Sequence, residues 1–151
     1  MTARPYDHPD AARLLRAFYE DQVSRYGFAE PVDADPAGYA PPRGVFLVVY
    51  REHAPIGCGG YRWFDRTNGT IEIKKTYTIP EVRGTGVGRV LLSALEQHGV
   101  MNGASHSILE TGVRNHAALA LFRSLGYQPT HTYVASRDPK INRAFVKTLI
   151  S

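Results

Sequence analysis

Residues 74–89 read KKTYTIPEVRGTGVGR, an extended stretch that passes Pro80 into a glycine-punctuated loop and then opens an amphipathic helix. Gly84, Gly86 and Gly88 carry no Cβ, so the backbone there can take positive φ and a ligand can come close to its amide hydrogens. Val87, Val90, Leu91, Ala94 and Leu95 follow at helical spacing, which sets the loop on a helix N-terminus whose free N–H groups and dipole favour an anion. Arg83 and Arg89 flank those amides with fixed positive charge. A phosphate-bearing ligand is the natural guest. The Lys-Ser/Thr pair of a P-loop is missing, and the glycines run G-x-G-x-G in mid-chain, where a dinucleotide fingerprint has G-x-G-x-x-G early in a parallel βαβ unit. A tight strand-to-helix turn that binds nothing is the alternative this loop alone leaves open.

Composition bounds the rest. A chain of 151 residues with 43% hydrophobic content fits one globular domain over 1–151, large enough to bury about two-thirds of its unfolded surface. The single cysteine, Cys58, excludes an intramolecular disulfide framework, and six histidines without H-E-x-x-H or paired cysteines imply no metal. The N-terminal MTARPYDHPD lacks an apolar core, and no apolar run approaches about 18 residues. The expectation is a cytoplasmic protein with no membrane association. Net charge is +4, but the arginines are scattered with no run of four basic residues, so a nucleic-acid partner is not expected.

Around the loop the chain alternates elements. Residues 10–26 read as a helix with Leu15, Phe18, Tyr19 and Tyr26 near one face, and 27–43 as a proline-rich loop. Strands are expected at 45–50, 56–64 and 70–79, the last two joined at Asn68-Gly69 as an antiparallel hairpin. After the glycine-loop helix come a strand at 107–113, a helix at 115–125, and strands near 127–135 and 143–150. This order predicts an α/β fold with a mixed, mostly antiparallel central sheet flanked by helices, not a doubly wound one. Alternation along 70–79 puts Glu72, Lys74, Thr76 and Thr78 on one face and Ile71, Ile73, Tyr77 and Ile79 on the other. The second face reads as core; the first lines a wet cleft or a binding site.

Two blocks together carry a resemblance. Arg83-Gly84-Thr85-Gly86-Val87-Gly88 matches the pattern Q/R-x-x-G-x-G/A, preceded by a strand ending in proline, and LETGVRNHAALALFRSLGYQP at 109–129 follows as strand, asparagine, short helix, then glycine with an aromatic. In their order and separation, over roughly residues 44–135, they resemble the GNAT superfamily of acyl-CoA-dependent N-acetyltransferases. The resemblance implies that fold, acetyl-CoA as cosubstrate, and a small-molecule or peptide amine as acceptor, attacked directly in a ternary complex; a homodimer is the family's common habit. It implies that Arg83, Gly84, Thr85, Gly86, Val87, Gly88 and Arg89 hold the pyrophosphate and that the backbone of Tyr77, Thr78 and Ile79 pairs with the pantetheine amides, as a peptide extends a sheet edge. Asn115 matches a residue that contacts the pantetheine arm; it is equally a good helix N-cap.

An amine must lose a proton before it can attack a thioester, so a general base is useful. Glu72 stands where several family members carry a catalytic glutamate and is the expected base, direct or through a water; its alternative is a cleft carboxylate paired with Lys74 or an arginine. Glu110 is the reserve. Where many members carry a tyrosine that protonates the leaving thiolate, this chain has Phe122, which has no proton to give and reads as an apolar wall. Tyr127 falls at the following, usually structural, aromatic position. Tyr39, Tyr61, Arg62, Trp63 and Tyr133 are candidates for the acceptor pocket, and arginines near a cleft favour an amine that also bears a carboxylate. A non-catalytic acyl-CoA sensor and, further off, a dinucleotide-binding domain are the other classes the sequence leaves open.

Overall fold

The computed structural model describes residues 1–29, 35–133 and 138–150. Helix α1 spans Pro9–Tyr26 and is delimited by local chemistry. His8 caps it by accepting from the Asp10 amide, Pro9 opens the first turn, and Gly27 closes it in the left-handed region at φ 80°. The described residues form seven strands in the spatial order β1-β2-β3-β4-β5-β7-β6: β1 Thr2–Ala3, β2 Gly44–Arg51, β3 Ala54–Asp65, β4 Thr70–Thr78, β5 His106–Gly112, β6 Gln128–Thr130 and β7 Asn142–Thr148. Helix α2, Val87–Met101, connects β4 to β5, the one parallel pair; α3, His116–Ser124, lies between β5 and β6. All other neighbours are antiparallel. The mixed, mostly antiparallel sheet read from the sequence is the one observed.

Apolar side chains divide between two clusters, one on each face of the sheet. Leu91, Leu92 and Leu95 of α2 pack on Val45, Tyr61, Ile71, Ile73 and Leu109. On the opposite face, Ala11, Leu14 and Leu15 of α1 meet Phe46, Val48, Cys58 and Tyr77. Strands β2 and β3 feed both clusters by alternation, so the sheet interior is apolar on both sides. Val90, placed on the apolar stripe of α2 by its spacing, is 57% exposed, and Tyr19 of α1 is 42% exposed: the helices dock on narrower faces than their composition allows.

Strand β4 departs from the expected alternation. Cys58 pairs with Tyr77 and Gly60 with Lys74, so one residue of β3, Gly59, faces two of β4, Lys75 and Thr76, and Lys75 takes φ 62° at that bulge. The extra residue reverses the facing of everything after it. Ile71 and Ile73 join the α2 cluster, whereas Tyr77 joins the α1 cluster. Thr76 in turn lies against Gly59 beside Leu91 and Leu95, on the α2 face. Glu72 and Thr76 are therefore on opposite faces, contrary to strict alternation. The β3–β4 connection also differs from a two-residue turn. It spans four residues, 66–69, held by Asp65 accepting from Asn68 and closed by Gly69 at φ 68°. The two-residue loop is instead Glu52-His53, with both φ positive at 51° and 71°. The expected strand near 127–135 is short, and its residues 134–135 lie outside the described residues.

Candidate functional site

Parallel pairing between β4 and β5 covers three residue pairs, Thr70–His106, Ile71–Ser107 and Glu72–Ile108. Beyond them the strands part, and the bulge at Lys75 falls where the gap begins. The second half of β4 thus presents a sheet edge without a β5 partner. A cleft of about 500 Å³ opens along it. Thr76, Tyr77 and Thr78 form its strand wall, Gly84, Gly86 and Val87 its loop, Asn115, Leu121 and Phe122 its α3 side, and Phe18, Asp21 and Arg25 its α1 side. Which α1 residues reach it was not legible in the sequence. Helix periodicity shows that a face is apolar, not which strand gap it reaches. Ile79, the third expected backbone contact, does not line the cleft among the residues named; its amide is bonded to the Ile56 carbonyl.

The loop takes the conformation its glycines allow. Gly84 and Gly86 sit at φ 81° and 91°, and Gly86 is the N-cap of α2, with no side chain bonded to the helix start. The first intrahelical bond runs from the Val90 amide to the Gly86 carbonyl, so the amides of Val87, Gly88 and Arg89 have no intrahelical acceptor. These N–H groups and the helix dipole suit an anion. Gly88 serves packing, since a Cβ there would stand 3.2 Å from Leu121 Cδ2. Thr85 braces the turn by donating to the Val82 carbonyl. Arg83 donates from Nε to the Thr78 carbonyl at 3.1 Å and lies over the Tyr77 ring, and Arg89 donates to Ser124 Oγ at 2.7 Å, linking α2 to α3. Arg83, Gly84, Gly86, Val87, Gly88 and Arg89 all line the cleft.

On the α1 face, Glu72 is 5% exposed. Tyr133 donates its hydroxyl to Glu72 Oε2 at 2.8 Å, and Arg62, its register partner on β3, holds Nε 3.7 Å from Oε1. The Tyr133 amide donates to Glu110 Oε1 at 3.3 Å, so one residue ties the two carboxylates together. The Arg62 guanidinium lies over the Tyr39 ring, and Phe64 packs edge-on against Tyr133. Of the five acceptor-side candidates, Arg62 and Tyr133 meet at Glu72 and Tyr39 supports them. Tyr61 and Trp63 belong to the α2 face instead. Tyr61 Oη hydrogen-bonds His98 Nδ1 at 2.6 Å, and burial pushes its phenol up to about 12.

Phe122 is 4% exposed, packed against Tyr127 and Phe145 while lining the cleft, so it is at once core and cleft wall. Tyr127 cannot stand in as an acid. Its hydroxyl is buried, donates to Glu96 Oε2 at 2.9 Å and lies 2.9 Å from Ser107 Oγ, and desolvation with the Glu96 charge raises its phenol far above the ordinary value. Asn115 caps α3 by accepting from the Ala118 amide at 3.2 Å and also lines the cleft. Among the described residues no group of three His, Cys, Asp or Glu side chains is placed to hold a metal, and no helix is long and apolar enough to cross a membrane. Cys58 is buried with its thiol pushed up to about 12 by desolvation, which makes it a core residue donating to the Lys75 carbonyl.

Known proteins share this fold. The sequence matches the acetyltransferase (GNAT) family over residues 10–127. It is 32% identical over 141 residues to an uncharacterized N-acetyltransferase of Schizosaccharomyces pombe, covering 91% of this chain and 86% of that one. Against the mycothiol acetyltransferase of Kocuria rhizophila it is 32% identical over 87% of this chain and 41% of the relative. Among solved structures, a GNAT acetyltransferase of Staphylococcus aureus superposes with a TM-score of 0.79 at 17% identity, over 98% of each chain. A Salmonella typhimurium protein solved with acetyl-CoA gives 0.75 at 22%, over 100% and 95%. Neither is close enough in sequence to carry more than the fold. The extent of the family match and the relatives named as N-acetyltransferases remove the dinucleotide-binding and non-catalytic alternatives: the chain belongs to the GNAT acetyltransferase family and is an acyltransferase.

Proposed function

We propose that the protein transfers the acetyl group of acetyl-CoA to a primary amine of a small molecule or peptide, by direct attack in a ternary complex. The observation that carries this reading is the cleft at the parted strands, with an uncapped helix N-terminus at one end and an unpaired strand edge along its wall. These suit the two halves of coenzyme A: free amides and flanking arginines for the pyrophosphate, and backbone hydrogen-bonding groups of Tyr77 and Thr78 for the pantetheine amides. Acetyl-CoA supplies the electrophile, a thioester carbonyl whose C–S bond breaks as the new C–N bond forms.

Glu72 accepts the proton of the acceptor ammonium, directly or through a water, and frees the nitrogen lone pair. Tyr133 and Arg62 hold its carboxylate from two sides, which fixes the direction in which it can receive that proton. Phe122 shapes the cleft and offers the sulfur no proton, so the thiolate takes one from water, from the amine being acylated or from another hydroxyl. Asn115 positions the start of α3 beside the pantetheine path. Calorimetric titration with acetyl-CoA, with NADH as control, tests the site. Binding of acetyl-CoA alone, followed by thiol release with an amine, is the expected result; equal binding of NADH or none of either refutes it.

A further inference from the structure

Lys74 has no role in the transfer chemistry described above, yet it stands beside Glu72. Its cross-strand partner is Gly60, whose missing Cβ would point at Phe46 and Tyr39 of the α1-side cluster. Directly paired residues share a face, so Lys74 projects on the same side of the sheet as Glu72, about 6.7 Å further along β4. The lysine is half-buried, and among the described residues it makes no ion pair or hydrogen bond through its ammonium. Of the two partners the sequence offers Glu72, Lys74 or an arginine, the cation beside it is an arginine, Arg62. At one end of this face, then, two carboxylates, Glu72 and Glu110, are bridged by Tyr133; at the other is a cation with no counter-ion among the described residues.

That separation of charge matches one class of amine. We infer that the acceptor is a free amino acid, its ammonium presented to Glu72 and its carboxylate held by Lys74. The inference rests on the acetyl-transfer reading and sharpens it. A plain amine or polyamine has nothing for Lys74, and a peptide N-terminus carries its carboxylate too far away. A half-buried ammonium is only partly hydrated, so a carboxylate arriving beside it replaces little water and gains a charge-assisted hydrogen bond.

The test is thiol release from acetyl-CoA with the twenty L-amino acids, each matched with the amine that decarboxylation would leave, using the wild type, Lys74→Met and Lys74→Arg. Methionine keeps the unbranched stem and removes the charge. Expected is at least one amino acid with kcat/KM about 10-fold or more above its matched amine, the size of one charge-assisted contact. In Lys74→Met that ratio collapses to about 3-fold or less, chiefly through KM, and Lys74→Arg restores most of it. A ratio near one in the wild type, or a ratio unchanged in Lys74→Met, overturns the inference. Turnover confined to amines without a carboxylate removes the inference and leaves acetyl transfer standing. No thiol release with any amine removes both.

Discussion

Replacing Glu72 by glutamine separates two roles that its surroundings allow. As an ion-pair partner, its carboxylate meets an Arg62 guanidinium 3.7 Å away whose side chain is 38% exposed. Such a partly hydrated pair is worth about 0–1 kcal/mol, and glutamine keeps an oxygen able to accept from Tyr133, so the fold should lose no more than about 1 kcal/mol. If that were all, kcat would change by less than about 5-fold. As a general base, its loss removes proton acceptance from the ammonium, which general-base catalysis values at about 10²–10⁴ in rate, or about 2.7–5.4 kcal/mol. The two roles thus differ by at least an order of magnitude in one number. The assay is steady-state thiol release with thermal melting on the same preparations. The expected result is kcat down by 10² or more, acetyl-CoA affinity within about 2-fold, Tm within a few degrees, and loss of the acidic limb of the pH–rate profile. A kcat within 5-fold of wild type with the same acidic limb would refute the base assignment and leave Glu72 an orienting carboxylate.

Other expectations follow from backbone and burial. Gly86→Ala meets open space at its Cβ but must hold φ 91°, a cost of about 1–2 kcal/mol, so Tm should fall by about 2–8 °C while the Kd for acetyl-CoA, measured by calorimetry, rises about 10-fold. An unchanged Kd would mean that the loop amides do not hold the ligand. In the Glu52-His53 loop both residues carry positive φ, so the double variant Glu52→Asn, His53→Gly should raise Tm by about 2–4 °C without altering kcat. Burial raises the Cys58 thiol from 9.0 to about 12 and the Tyr61 phenol from 10.0 to about 12, so both stay protonated in the folded chain at pH values where the unfolded chain ionises. Their contribution is complete below about pH 9 and is lost as pH rises through 12; urea midpoints should be flat to pH 9 and then fall, and more gently in Cys58→Ala.

How much could be read without coordinates depended on the range of the interactions. The helix at 10–26, the glycine loop and the Asn115 cap were legible because each is specified by neighbours in sequence: His8, Pro9 and Gly27 delimit α1, and Gly84 and Gly86 permit the positive φ of the loop. The order of strands and helices implied a mixed sheet, because hairpins and a single helical crossover admit few topologies. The facing of β4 was not legible. Ile71, Ile73, Tyr77 and Ile79 all fall on one parity, interrupted only by Lys75, and a single lysine in an alternating pattern does not announce that an extra residue reverses the later half. Tyr61 and Trp63 were grouped with Arg62 for composition, and only packing sorted them to the other face.

Local patterns therefore encode an anion-ready helix start behind a strand, set in a mixed α/β chain of recognisable order. Those properties come from backbone permissiveness and periodicity, which act over a few residues. Tertiary structure decided that β4 and β5 pair through Glu72–Ile108 and then part, that α1 closes the cleft with Phe18 and Arg25, and that Tyr133 reaches Glu72 across 61 residues of sequence. It also decided that Arg62, not Lys74, is the cation beside Glu72. Contacts of that range are set by how the whole sheet twists, bulges and packs, which no local pattern encodes.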